Sequence, residues 1–274
     1  MTAMNEDGVP IRADIPLDHH PDSLLGVARA LNEPGSLGAN ALAAAREAMR
    51  IGYEAMGRLN DAERDMNAMG EPAIRRQHPV AGSARTEYSD NVRMIRGRPT
   101  RVQDATEFID AAEKAFARTA PAIDRRMREL RGYRDTLATR VSAALDNPAR
   151  KTAEGLALAS EVRAHMKGMK RAEDRTSHAM RAIEAEDKTT VAAILHAPAY
   201  LSGLTDEALA IVRARAAAKF APLDSAQLDA TEAAIRQVMN AGSALTRRYG
   251  DVLALRSAPA ARAATSLRAL GAAG

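Results

Sequence analysis

Small side chains at helical spacing constrain this chain more than any other feature. Alanine accounts for 61 of the 274 residues, and it recurs with leucine and methionine at alternating intervals of three and four positions. That spacing places apolar side chains along one stripe of an α-helix, in the pattern of a heptad seam. Strands favour β-branched and aromatic residues, but the chain has only eight aromatic residues and no tryptophan. The pattern therefore predicts an all-α fold.

Four such seams predict an elongated bundle of long, coiled-coil-like helices. The longest seam follows Asn147 and Pro148, an N-cap residue followed by a proline, and extends to about Asp187. A helix of about forty residues would be roughly 60 Å long, which suggests a rod or a hairpin. Other helices are predicted at 40–69, from Thr100 with a kink or a restart at Pro121, at 205–220, and from a capping box of Asp224 and Gln227.

Charge and composition divide the chain into three parts. Residues 1–39, rich in proline and glycine, are predicted to be an irregular acidic arm with one short helix at about 22–32. Residues 40–256 are predicted to be the helical bundle, which includes a basic connector at 70–100 with a short helix at about 86–96. Residues 257–274 form a tail rich in alanine and arginine. The oppositely charged arm and connector could pair within one chain or between copies.

The sequence contains few of the residues and motifs that form catalytic or metal-binding sites. The absence of cysteine excludes disulfides, thiol nucleophiles and cysteine-ligated metals. The usual phosphate-binding, dinucleotide-binding, zinc-protease and serine-hydrolase motifs are also missing. Glu161 and His165 stand four apart with no matching pair on a second helix for a di-metal site, and His19 and His20 are expected to be exposed in the arm. We therefore expect no catalytic residues, no metal site and no cofactor, and a protein that is not an enzyme.

The basic connector supplies the candidate binding residues. Arginine suits a phosphate because its planar guanidinium group can donate to two oxygens at once. Only Tyr88 lies among these arginines and no recognition helix is evident, so nucleic-acid binding is the alternative and not the preferred function. An acidic protein segment is the other ligand they could meet. The candidates are Arg75, Arg76, Arg85, Arg93, Arg96, Arg98 and Arg101.

The uncharged stretch between Val191 and Leu204 has two interpretations. The preferred one is a short helix and a turn buried beneath the longer helices. The alternative is an apolar patch that docks onto another subunit. The residues of that patch would be Leu195, Tyr200, Leu201 and Leu204.

The same region carries a resemblance to known proteins. The run AILHAPAYLSGLTDEAL, which begins at Ala193 and continues to about Arg213, resembles segments of uncharacterised helical proteins of phages and prophages from GC-rich bacteria. The resemblance covers less than a tenth of the chain and includes no catalytic residue. It implies a small virion-associated or assembly protein.

These observations together predict a non-enzymatic structural or interaction protein, which packs its helices against another copy or against partner subunits. The first fifteen residues are acidic and lack the apolar segment of a signal peptide. The longest uncharged stretch is interrupted by Pro198 and is too polar to span a bilayer. A cytoplasmic location is therefore expected, or the virion if the phage resemblance holds.

Overall fold

A computed structural model describes residues 9–77, 92–95 and 98–256 of the chain, with side chains over 9–68 and 100–256. Almost all of this part is helical, which confirms the all-α prediction. The described helices and strands are α1 (Leu25–Leu31), α2 (Leu37–Gln77), β1 (Val92–Ile95), β2 (Arg98–Arg101), α3 (Val102–Leu145), α4 (Ala153–Gly168), α5 (Ala172–Glu184), α6 (Lys188–Leu195), α7 (Ala199–Ser202), α8 (Asp206–Phe220) and α9 (Pro222–Leu253). Short 3-10 helices lie at Leu17–His19, Pro21–Leu24, Pro148–Lys151 and Ala254–Arg256.

Contacts group the chain into two compact units. Unit 1 comprises Met1–Gly26, Ala43–Glu129 and Ala234–Gly274, and unit 2 comprises Val27–Leu42 and Leu130–Ala233. Each unit has a hydrophobic core of its own. No helix in the described part of the chain is both long enough and apolar enough to cross a membrane.

The core of unit 1 is built from α2, α3, α9 and the described part of the arm. Arg12 anchors the arm to α2, because its guanidinium donates to Asp61 at 2.6 and 2.8 Å and its main-chain N–H donates to the Tyr53 hydroxyl at 2.8 Å. The same guanidinium bonds Asp14 and lowers the pKa of that carboxyl group to about 2. His20 is buried with its ring edge against Tyr53, so the expectation that the histidine pair is exposed is wrong for His20.

A buried ion pair joins α2 to α9 in unit 1. Glu63 is an acidic residue at a seam position of α2, and it bonds the guanidinium of Arg248 on α9. The same guanidinium donates to Asn60 at 3.0 Å. Removal of one member of such a pair leaves the other charge buried, which is far costlier than replacing both members by apolar residues.

In unit 2, arginine side chains bond the ends of short helices. The guanidinium of Arg175 donates to the main-chain oxygens of Met166 at 3.2 Å, Met169 at 2.7 Å and Gly203 at 2.8 Å. Gly203 ends α7 in the left-handed conformation, at φ +69°, and a Cβ there would lie 3.1 Å from the Arg175 guanidinium. Arg175 therefore joins the C-terminal ends of α4 and α7.

Two further arginines bond the last turn of α6 in unit 2. Arg163 donates to the Ala193 oxygen at 3.1 Å, and Arg213 donates to the Leu195 oxygen at 3.1 Å. The final carbonyls of a helix have no partner within the helix and carry partial negative charge. Cationic donors are therefore favourable at this end of α6.

The single helix expected between 148 and 187 is the main error of the sequence analysis. This segment consists of the 3-10 helix Pro148–Lys151 followed by α4 and α5, which are separated at residues 169–171. The N-cap role of Asn147 is confirmed, since its side chain accepts a hydrogen bond from the Ala149 N–H at 3.0 Å. Arg175 bonds the end of α4 and thereby stabilises the break that the heptad spacing does not indicate.

Other predicted boundaries are also corrected. Helix α2 continues past residue 69 to Gln77, and α3 runs without interruption through Pro121. Residues 92–95 are a strand and not part of a short helix. The last helix begins at Pro222, and Gln227 accepts a hydrogen bond from the Gly38 N–H at the start of α2 (3.3 Å) instead of forming a capping box. The start of α8 is as predicted, because the Thr205 hydroxyl accepts a hydrogen bond from Ala208.

Replacement of Arg175 tests the stabilising role of these bonds. We expect Arg175→Gln to lower the free energy of unfolding by about 2 kcal/mol or more, because three carbonyl groups lose a charged donor. Arg175→Lys should lose most of the same free energy, since an ammonium group lacks the planar fork. The exposed Arg171 is the control, and Arg171→Gln should change stability by less than about 0.5 kcal/mol. Urea unfolding measures all three, and a lysine variant as stable as the original chain would contradict this role.

Candidate functional site

The arginines of the basic connector occupy several elements. Arg75 and Arg76 lie in the last turn of α2, Arg93 lies in β1, and Arg98 and Arg101 lie in β2. Arg85 and Arg96 lie outside the described residues. The hairpin register pairs Arg93 with Thr100 and Ile95 with Arg98, so residues 93 and 98 fall on one face of the ladder and residue 101 on the other. The backbone thus brings together only part of the predicted set.

The four residues of the predicted apolar patch do not form one exposed surface. Leu195 and Leu204 are buried in the core of unit 2. Tyr200 is 68% exposed and Leu201 is 37% exposed. The segment therefore comprises most of α6, a turn and the whole of α7 in unit 2, with two of the four predicted patch residues buried and two at the surface.

One cavity among the described residues is a groove in unit 1, which we call the α2/α3 groove. Its volume is about 500 Å³. Its walls are residues of α2 and α3 that recur at helical spacing, and five of the eleven lining residues are alanine. The lining residues are Ala55, Arg58, Leu59, Ala62, Phe108, Ala111, Ala112, Ala115, Arg118, Thr119 and Tyr249. Short side chains on both walls leave apolar space that nothing in the described part of the chain fills.

Tyr249 of α9 closes the inner side of the α2/α3 groove. It is only 2% exposed, and its ring packs against Phe116 with the ring centroids 5.1 Å apart. Its hydroxyl group makes no hydrogen bond with the described part of the chain, and burial raises the pKa of that hydroxyl above its usual range. Because Tyr249 lines the groove and its hydroxyl bonds no described residue, this hydroxyl is a hydrogen-bonding group available to a ligand.

Two arginines flank one end of the α2/α3 groove. Gly52 of α2 lies against Ile123 of α3. On α2 the groove residues follow Gly52 in the sequence, whereas on α3 they precede Ile123. The two helices are therefore antiparallel. Arg58 and Arg118 therefore come to about the same level on opposite walls. Arg58 is exposed and reaches only 4.0 Å from Glu54, and Arg118 has no ion pair with any described residue. Each guanidinium group can donate hydrogen bonds to a carboxylate of a ligand in the groove.

Other polar groupings of the described residues suit a ligand less well. A cavity of about 220 Å³ in unit 2 includes Asn147 and Thr189, but these side chains bond each other at 2.9 Å. His165 and His178 approach with ring centroids 5.4 Å apart, and burial lowers the pKa of His178. No third histidine, cysteine or carboxylate among the described residues joins them in a group that could hold a metal ion. The α2/α3 groove is therefore the candidate site, and its chemistry is that of binding.

The sequence analysis did not identify this groove. The seam residues of α2 and α3 were assigned to helix packing, and Arg58 and Arg118 belong to no cluster of basic residues. A usable signal was present in two further alanines of α3, Ala111 and Ala115, which lie beside the seam through Ala112. When an apolar stripe is wider than the packing of two helices requires, it indicates that the helix has a further contact.

No protein-family model, no curated protein sequence and no solved structure matches the chain significantly.

The state of the Tyr249 hydroxyl can be tested by titration. Because burial favours the neutral phenol, Tyr249 should ionise at a higher pH than an ordinary tyrosine, and Tyr249→Phe should remove this late component from the ultraviolet titration of the five tyrosines. Its contribution to stability should be complete below pH 10.0 and should be lost as the pH rises through the folded-state pKa. The exposed Tyr200 is the control, since Tyr200→Phe should leave the late component in place.

Proposed function

We propose that the chain is a non-enzymatic structural or interaction protein, and that the α2/α3 groove binds a helix of a protein subunit. The observation that supports this most strongly is an open apolar groove between two helices, with an unpartnered tyrosine hydroxyl on its inner side and two arginines at one end. Apolar grooves between helices commonly accept the apolar face of another helix.

The dimensions and the charge of the groove favour this kind of ligand. The lining residues of α3 extend from Phe108 to Thr119, which corresponds to roughly 16 Å of helix. Alanine walls permit close approach of a helix backbone, because they present only methyl groups. Arg58 and Arg118 would favour a helix that carries a carboxylate near one end of its apolar stripe.

The resemblance of residues 193–213 to helical phage proteins is consistent with this proposal. Virion and assembly proteins act by packing against copies of themselves or against neighbouring subunits, and a helix-binding groove would serve that purpose. We therefore propose a role as a virion or assembly component as the biological setting of the groove.

Binding of a designed helix tests the proposal. The probe is a fluorescein-labelled, alanine-rich helical peptide with one glutamate at the end of its apolar face. We expect it to bind the full chain, and the double variant Arg58→Glu with Arg118→Glu to raise the dissociation constant at least about tenfold. Fluorescence anisotropy measures the binding.

Two controls separate the groove from general electrostatic attraction. Arg171→Glu with Arg236→Glu makes the same change of net charge at exposed positions outside the groove and should leave binding unchanged. A peptide with lysine in place of the glutamate should bind poorly. Equal binding of both peptides, or equal loss in both double variants, would argue against the groove as the site.

One feature of the backbone favours a second candidate function, association with nucleic acid. Three connector arginines, Arg93, Arg98 and Arg101, lie on the β1–β2 hairpin. A two-stranded antiparallel ribbon is narrow enough to enter the major groove of DNA, and arginine is the residue that most often contacts bases and phosphates there.

Salt dependence tests this second function. If the hairpin binds duplex DNA, the triple change of Arg93, Arg98 and Arg101 to glutamine should reduce the slope of log binding constant against log salt by up to about three. The same change at the exposed Arg125, Arg128 and Arg131 of α3 is the control. Absence of binding by the original chain at low salt would end this alternative.

A further inference from the structure

Helix α8 of unit 2 has apolar residues on both of its sides. Its inner side, which includes Leu209, Val212 and Ala216, is buried in the core of unit 2. Its outer side carries Ala210, Ile211, Ala214 and Ala218, all of which are exposed. These four side chains recur at helical spacing and form an apolar stripe that the described part of the chain does not cover.

The charged residues of α8 leave this outer stripe open. Arg213 is turned to the Leu195 carbonyl, Arg215 bonds Glu184 at 2.7 Å, and Lys219 lies 3.2 Å from Glu186. Each of these side chains is engaged by a neighbouring element of unit 2. Glu207, at the first turn of α8 and in line with the outer stripe, makes no ion pair with the described part of the chain.

We infer that the outer face of α8 from one copy of this chain binds in the α2/α3 groove of a second copy. The stripe from Glu207 to Ala218 covers twelve residues, and so does the groove wall from Phe108 to Thr119. The two lengths are therefore both roughly 16 Å. This inference rests on the proposed function of the groove and names its ligand.

The side chains of the two surfaces are complementary in size and charge. Ala210, Ala214 and Ala218 would let α8 approach the alanine walls closely, and Ile211, which is 59% exposed, would fill the apolar space between the walls. Glu207 stands at one end of its stripe, as Arg58 and Arg118 stand at one end of the groove. One carboxylate would then meet two guanidinium groups.

Such a contact joins two different surfaces and is therefore heterologous. Each bound copy would still offer its own free α8 face and its own free groove. Association of this type closes into a ring or continues as an open assembly, and it does not stop at a dimer unless the geometry forces it to. The inference thus assigns the chain a self-assembling role.

Charge reversal on the full chain tests the inference by sedimentation and light scattering as a function of concentration. The original chain should self-associate. The groove variant, Arg58→Glu with Arg118→Glu, and the helix variant, Glu207→Arg, should each associate at least about tenfold more weakly. An equal mixture of the two variants should recover the original association, because each groove then meets a complementary helix on the other variant. Loss of folding in either variant could not produce recovery on mixing.

Ile211→Arg and Leu156→Arg form a matched pair for the apolar contact, since Ile211 and Leu156 are 59% and 60% exposed. Only Ile211→Arg should abolish self-association. A chain that stays monomeric up to about 100 µM, a mixture that fails to recover, or equal effects of the two arginine substitutions would overturn the inference. If the glutamate peptide binds the groove while the full chain stays monomeric, α8 is not the ligand although the groove still binds helices. Loss of peptide binding as well would reject the groove itself.

Discussion

Hydrogen bonds from arginine to main-chain carbonyls are the interactions on which unit 2 depends. The unit is assembled from several short helices, and the C-terminal end of each helix leaves carbonyl groups that must be bonded when the ends are packed together. Arg163, Arg175 and Arg213 supply the donors at the ends of α4, α6 and α7. The guanidinium group is suited to this because its donors are arranged in a fixed plane and point to several acceptors at once. Some of the arginine excess of the chain is therefore structural.

Alanine contributes to the packing of the helices themselves, whereas these arginines bond the helix ends. Its short side chain allows helices to approach closely and buries little area, so the cores of both units combine alanines with a limited set of large residues such as Met166, Ile183 and Tyr249. Where alanines of α2 and α3 lie at the edge of the unit 1 core, they leave the α2/α3 groove. The same composition that makes the helices pack also leaves surfaces that another helix could cover.

The proposed binding of helices follows from these alanine-rich surfaces. The groove in unit 1, with its five alanines, and the exposed stripe of α8 in unit 2 are two apolar surfaces of the described part of the chain. The charges near them are of opposite sign, with arginines beside the groove and a carboxylate at the end of α8. Hydrophobic burial would supply the affinity and the charges would set the orientation.

The amount that could be predicted from the sequence differs between local and long-range features. Local signals were sufficient for the all-α class and for the start of α8 at Thr205, because a cap depends on residues three positions apart. They were misleading at Gln227, where the local capping box competes with the distant N–H of Gly38. They were also misleading at residues 92–95, whose helical spacing of Val92 and Ile95 is overridden by pairing with 98–101.

The sequence by itself determined that the chain is helical, that its helices carry small apolar faces, and where α8 and the 3-10 helix after Asn147 begin. Only the tertiary structure decided that α4 and α5 are separate, because the break depends on Arg175 reaching the Gly203 carbonyl of a different helix. The tertiary structure likewise decided which alanine stripes are covered. It also decided that Arg175 bonds carbonyl groups within unit 2, whereas Arg118 lies beside the groove and forms no ion pair with a described residue. Periodicity shows that a helix has an apolar face, whereas the partner of that face depends on how distant segments pack.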